Sequence, residues 1–114
     1  MIRIWLDDIR PMPEGFTHWC KTAPEAVSLL STMIDWKVIK NAKVDHISFD
    51  HDLGQPEPYN GNYVARFIEQ MAHDGELPRL TWEIHSGNPV GRSNIKATME
   101  SANLFWTCAE AKIE

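Results

Sequence analysis

The sequence predicts an α/β fold with a mostly parallel sheet, and three observations carry that expectation. Short β-rich apolar runs alternate with segments of helical period, the order that lays crossover helices between parallel strands. Three of those runs end in polar clusters: residues 2–6 in Asp7-Asp8, residues 46–49 in Asp50-His51-Asp52-Leu53-Gly54, and residues 80–84 in His85-Ser86-Gly87-Asn88-Pro89. The carboxyl ends of the strands in an open α/β sheet line the ligand crevice. Three such ends rich in Asp, His and Ser therefore predict one acidic pocket built around a metal ion. At 114 residues and 43% apolar, the chain is read as a single domain spanning 1–114.

Residues 2–6 read as a buried strand. Residues 7–15 contain two prolines and a glycine, which discourage a long helix, so the first crossover helix is expected to be reduced or absent. Residues 16–20 are a second short strand of uncertain pairing, because a parallel crossover usually needs a dozen or more residues. Thr22 with Glu25 has the capping-box spacing and Pro24 suits a first turn, so a helix follows over about 23–35. Its apolar stripe is Ala26, Leu29, Leu30 and Met33. Residues 36–44 carry no clear pattern. After the strand at 46–49, a Pro-rich and Asn-Gly loop leads to a helix over about 61–74. Val64, Phe67, Ile68 and Met71 form its buried stripe, and Gly75 closes it. Residues 80–85 alternate, with Leu80, Trp82 and Ile84 on one face and Thr81, Glu83 and His85 on the other. A strand covered on both faces would be apolar throughout, so one face of the sheet is expected to be poorly covered. A helix over about 89–102 follows Asn88 with Pro89 at its first position, and residues 104–108 are expected to form a last strand.

Composition narrows the function. A formal net charge of −5 excludes a broad basic surface for long nucleic acid, whose phosphates demand Lys and Arg, while leaving room for a small phosphorylated ligand or an RNA end. Cys20 and Cys108 form no C-x-x-C, so a reducing cytoplasmic setting is expected. No leader-like or membrane-spanning apolar stretch is read from the chain, and no membrane partner is expected. The oligomeric state is left open.

The acidic residues carry the chemistry. Asp7, Asp8, Asp50 and Asp52 converge if the first and third strands are neighbours, and such like charges are costly unless a cation neutralises them. All-oxygen ligands suit Mg²⁺, with Mn²⁺ as the other candidate. Each Asp pair taken alone could simply cap a turn. Together, on two strand ends, they favour a metal. His51 and His85 follow strands expected to be adjacent. They are read as general acid and base, or as ligands of a transition metal with Asp50 or Asp52, against the plain alternative of ordering their loops. His18, His46 and His73 lack such neighbours and are read as surface or structural. Asn88, Pro89, Gly91 and Arg92 open a helix whose N-terminus suits an anion. Ser86, Asn88, Arg92 and Arg10 are thus the candidate phosphate contacts. Trp5, Trp82 and Trp106 lie in apolar runs and read as core.

A family resemblance becomes visible at these residues. Asp7-Asp8 resembles the acidic pair of response-regulator receiver domains. Asp50, with Leu53 after it and Gly61 before the next helix, resembles their phosphoacceptor segment, and Ser86 their hydroxyl-bearing switch position. No lysine stands in 104–108, where a receiver would place one at the end of a final strand. Leu6-Asp7-Asp8-Ile9-Arg10-Pro11, Ile47-Ser48-Phe49-Asp50-His51-Asp52-Leu53-Gly54 and His85-Ser86-Gly87-Asn88-Pro89 together resemble the cyclic-phosphate-processing receiver domains. The resemblance implies a receiver-like (flavodoxin-like) three-layer fold and a metal-supported role on cyclic phosphates such as 2′,3′-cyclic phosphate RNA ends.

The leading expectation is a metal-dependent phosphodiesterase acting on cyclic phosphates. Asp7, Asp8 and Asp50 would hold the ion. His51, His85 and Asp52 would do the catalytic work, Asp52 as an outer-shell partner. Arg10, Ser86, Asn88 and Arg92 would bind substrate. The alternatives are a non-catalytic receiver-like module that binds a phosphorylated ligand or is switched by phosphorylation at Asp50, and an interaction protein that keeps the fold without the chemistry.

Overall fold

The computed structural model describes residues 1–36 and 43–113. In chain order these form β1 (Ile2–Leu6), β2 (His18–Cys20), α1 (Ala23–Trp36), β3 (Val44–Phe49), α2 (Gly61–His73), β4 (Thr81–Ile84) and α3 (Pro89–Ile113). The four strands make one parallel sheet in the order β2-β1-β3-β4. The sheet and the helical layer are receiver-like. Of the segment that gave no clear pattern, residues 37–42 lie outside the described residues, while Trp36 ends α1 and Val44 opens β3.

The caps follow the sequence closely. Thr22 Oγ1 accepts from the Glu25 backbone N–H at 3.1 Å to start α1. Asn60 Oδ1 accepts from the Tyr63 N–H at 3.1 Å to start α2. Asn88 Oδ1 accepts from the Gly91 N–H at 3.1 Å to start α3. Each of these side chains satisfies an orphan donor of a first helical turn. Gly75 closes α2 with φ of +73°, a value that favours glycine.

The strand register sorts side chains onto two unlike faces. Ile4, Ile47 and Trp82 form one cross-strand row, and Leu6, Phe49 and Ile84 the next. These rows pack with Ala26 and Leu30 of α1, Val64 and Ile68 of α2, and Ile95 and Met99 of α3, and that cluster is the core. Burying each Leu, Ile or Phe there contributes about 1.5–3 kcal/mol. The other face carries Arg3, His46 and Thr81 in one row and Trp5, Ser48 and Glu83 in the next.

No helix joins β1 to β2 among the described residues, as the prolines of 7–15 imply. The connection instead splices itself to β1: Thr17 N–H donates to Arg3 O at 2.9 Å, and Arg3 N–H to Thr17 Oγ1 at 2.8 Å. Parallel pairing of β2 follows without a helical crossover. The layer opposite the helices is thereby reduced to this loop, whose Phe16 ring meets Trp5 edge-on at 5.2 Å.

One expected element is corrected. Residues 104–108 are not a strand; they lie inside α3. Ile95, Met99, Ala102 and Trp106 are all buried, and their spacing carries the helical period through the stretch. A Leu-Phe-Trp run read locally has no period of its own, whereas the preceding turns set one. Trp106 is anchored by its Nε1–H, which donates to Leu77 O at 2.8 Å.

Candidate functional site

The ends of β1 and β3 deliver three carboxylates to one place. One oxygen each from Asp7, Asp8 and Asp50 lies within 4.8 Å of the others. The strands fix this by backbone hydrogen bonds beyond their ends: Asp7 N–H donates to Cys20 O at 3.1 Å, and Asp50 N–H to Leu6 O at 2.9 Å. A cavity of about 400 Å³ opens over them, lined by Asp7, Asp8, Ile9, Arg10, Asp50, Asp52, Ser86, Gly87 and Asn88.

Asp7 is buried and fully engaged. Its Oδ1 accepts from the backbone N–H groups of Ile9 at 2.8 Å and Arg10 at 2.9 Å. Its Oδ2 accepts from Arg10 Nη1 at 3.2 Å and from His85 Nε2 at 2.9 Å. Burial pushes its carboxyl up, but the Ile9 and Arg10 donors, with His85, outweigh burial and hold it below the ordinary value. Asp50 is pushed the other way. Burial and the neighbouring Asp7 charge raise its carboxyl above the ordinary value, although the His51 N–H and Arg10 oppose them. A carboxyl raised by a like charge beside an ionised one is the electrostatic condition that a cation relieves. The donors are all carboxylate oxygens, the type that suits Mg²⁺ or Mn²⁺.

Two glycines let the loop approach so closely. Gly61 N–H donates to His51 O at 2.8 Å, and a Cβ at Gly61 would collide with the Asp50 carbonyl. Gly54 has φ of +68°, and a Cβ there would lie 2.9 Å from Asp8 Oδ2.

Arg10 lines the cavity, with Nη1 3.8 Å from Asp50 Oδ1 and its side chain half exposed. Ser86 and Asn88 line the cavity wall, and Ser86 Oγ accepts from the Asn88 N–H at 3.1 Å. Asn88 also donates through Nδ2 to the Asp52 carboxylate at 3.3 Å. Asp52 pairs with His51 Nδ1 at 2.9 Å, and that bond, aided by Asn88, lowers its carboxyl.

Three expected site residues lie elsewhere. Arg92 does not line the acidic cavity: its Nη1 donates to Ile84 O and Ser86 O, both at 3.0 Å, capping carbonyls at and just past the end of β4. Nor do the two histidines face one pocket. The His51 ring lies against Gly91 of α3, where a Cβ would collide with it, and reaches the cavity only through Asp52. His85 lies on the helix-free face behind Asp7. Its ring stacks on Trp5 at a centroid separation of 3.9 Å and an interplanar angle of 6°, and its Nδ1 is 2.8 Å from Ser48 Oγ. The cause is the pleat: His85 continues the outward alternation of Thr81 and Glu83, whereas His51 follows a turn that swings toward α3.

Ile9 and Gly87 line the cavity without having been singled out from the sequence, and Trp5, read as core, is buried against His85 on the helix-free face. Trp5 alternates with the core residues Ile4 and Leu6, which would have placed it on the opposite face from them.

A parallel receiver-like sheet with an acidic cavity at the ends of its first and third strands defines the class of domain. The chain belongs to the cyclic-phosphate processing receiver domain family, whose model matches residues 2–101. Comparison with curated proteins and with solved structures gave no match. The lysine missing from 104–108 has no strand end to occupy, since that stretch is helical. No helix among the described residues is long and apolar enough to cross a membrane.

Proposed function

We propose that this domain is a metal-dependent phosphodiesterase that opens cyclic phosphates, such as 2′,3′-cyclic phosphate RNA ends or cyclic nucleotides. The observation that carries this reading is the convergence of Asp7, Asp8 and Asp50 beside Arg10 at the floor of one open cavity. These carboxylates would hold Mg²⁺ or Mn²⁺, which when bound supplies positive charge facing the phosphate oxygens.

The chain's own groups do the rest. Arg10, held between Asp7 and Asp50, presents its remaining N–H groups to the phosphoryl oxygens, and Ser86 and Asn88 bound the opposite wall. Asp52 stands outside the three-carboxylate cluster and accepts the proton of the attacking water, with His51 steadying it through Nδ1. The water oxygen forms a new bond to phosphorus as one ring P–O bond breaks. The leaving sugar oxygen takes a proton from solvent at the open mouth, and Asp52 returns its proton to solvent, which balances the hydrolysis. His85 supports Asp7 from behind and does not touch substrate.

The test is incubation with 2′,3′-cyclic nucleotides and a cyclic-phosphate RNA end, in Mg²⁺, in Mn²⁺ and in chelator. Ring opening is expected with metal and not with chelator. Asp52→Asn is expected to lower turnover by about 100-fold or more, the order of a general base's contribution, and Asp50→Asn to lower turnover together with metal affinity. Tight binding of intact ligand with no product would overturn catalysis in favour of a phosphate-binding module. Labelling of Asp50 by acetyl phosphate would favour the switched receiver.

A further inference from the structure

The helix-free face of the sheet carries an unbroken string of polar side chains leading away from the site. His85 Nδ1 meets Ser48 Oγ at 2.8 Å, and Ser48 Oγ donates to Glu83 Oε1 at 3.2 Å. Glu83 Oε2 meets His46 Nε2 at 2.9 Å, and His46 Nδ1 meets Thr81 Oγ1 at 2.7 Å. Thr81 in turn donates to the Asp45 carbonyl at 3.1 Å. The residues alternate along β3 and β4, and register sets Ser48 opposite Glu83 and His46 opposite Thr81. Ser48 and His46 are buried, and such groups are retained at a cost unless partnered.

We infer that Ser48, Glu83 and His46 are positioning residues, a string across the open face that fixes the His85 ring and through it Asp7. The inference rests on the function proposed for the Asp7 site. Ser48 Oγ holds His85 Nδ1 at 2.8 Å, which orients the ring with Nε2 toward Asp7 Oδ2 at 2.9 Å. Trp5, stacked flat on the ring, leaves it rotation only in its own plane, and the two hydrogen bonds remove that. Phe16 lies 5.2 Å from Trp5 and 6.0 Å from His46, closing the apolar side of the string. Outer partners of this kind orient the groups that touch a metal, and their loss typically costs 10–100-fold in affinity.

Glu83→Gln tests the inference without threatening the fold, because the Glu83 side chain is 54% exposed on an edge strand. The amide has one accepting and one donating end, so the contact to Ser48 or the contact to His46 must reverse or break. Nitrogen-15 shifts of the His85 ring should therefore differ between the original protein and Glu83→Gln. Mn²⁺ titration should show affinity falling about 10-fold in both Glu83→Gln and Ser48→Ala, with an unchanged melting temperature in the former. Identical ring shifts in both proteins, or unchanged Mn²⁺ affinity in the variants, would each overturn the string's role. If the original protein binds no Mn²⁺, the proposed metal-dependent function fails, and the ring shifts alone decide the positioning role.

Discussion

At the scale of single residues, Asp7 and Asp50 divide the electrostatic work of the site. Asp50 is raised above its ordinary value by burial and by Asp7, so the folded protein keeps a proton there that the unfolded chain has already released. Stability from this group therefore falls as pH rises from the ordinary carboxylate value through the raised one, and stays lowered above it. Asp50→Asn should raise the melting temperature in chelator at about pH 7, with the gap narrowing as pH falls toward the ordinary carboxylate value. Calorimetry across pH checks this. With Mg²⁺ in excess the order should reverse: ligand at a hundred times its Kd stabilises by about 2.7 kcal/mol, and the variant loses that gain. Asp7 is lowered, so its contribution is present above the ordinary carboxylate value and is lost as pH falls through the lowered one. Gly61 belongs to the same scale. Gly61→Ala sets a methyl against the Asp50 carbonyl, so it should cost about 2 kcal/mol or more by urea unfolding. It should also weaken Mn²⁺ binding, since the loop must move.

At the scale of elements, the caps were plain in the sequence and the last helix was not. Thr22 and Asn88 announce their helices because a cap is a local bargain between one side chain and a backbone N–H nearby. Asn88 does double duty, capping α3 while tying Asp52 to it, so Asn88→Ala should cost about 1 kcal/mol by thermal melting. It should also lower turnover, because Asp52 loses a donor. Residues 104–108 show the opposite case. Leu104, Phe105 and Trp106 suit a strand by propensity, but tertiary context overrides it: Trp106 packs in the core with its indole N–H on Leu77 O. Trp106→Ala should cost about 3–5 kcal/mol, the range for emptying an aromatic site in a core, and urea denaturation measures it.

At the scale of the whole molecule, all the apolar rows of the sheet turn one way. Ile4, Leu6, Ile47 and Phe49 face the helices, while the opposite rows hold Trp5, His46, Ser48 and Glu83. A parallel sheet normally needs cover on both faces. Here the polar rows make an uncovered face tolerable, since each buried polar side chain there finds a partner among the described residues. The loop from β1 to β2 supplies the rest of the cover through Phe16 and through the Arg10 carbonyl, which accepts from Trp5 Nε1 at 2.9 Å.

The sequence by itself determined the strand ends and what stands on them. A period of two and a run of turn residues are local properties, and they set Asp7, Asp8 and Asp50 at strand ends before any contact is known; the pairing of β1 with β3 makes those ends neighbours. It determined as well that the first crossover would lack a helix, because the prolines at 11 and 13 lie within the connection itself. Only the tertiary structure decided which of those side chains share a cavity. Arg92 left the acidic cavity for the carbonyls of Ile84 and Ser86, and His51 and His85 parted to opposite sides of the sheet. His46, with no telling neighbour along the chain, acquired its partners across β4. The physical reason is common to all four. A side chain's direction beyond a strand end, and its partner across a sheet, depend on register and turn geometry between segments distant in sequence, which no local pattern encodes.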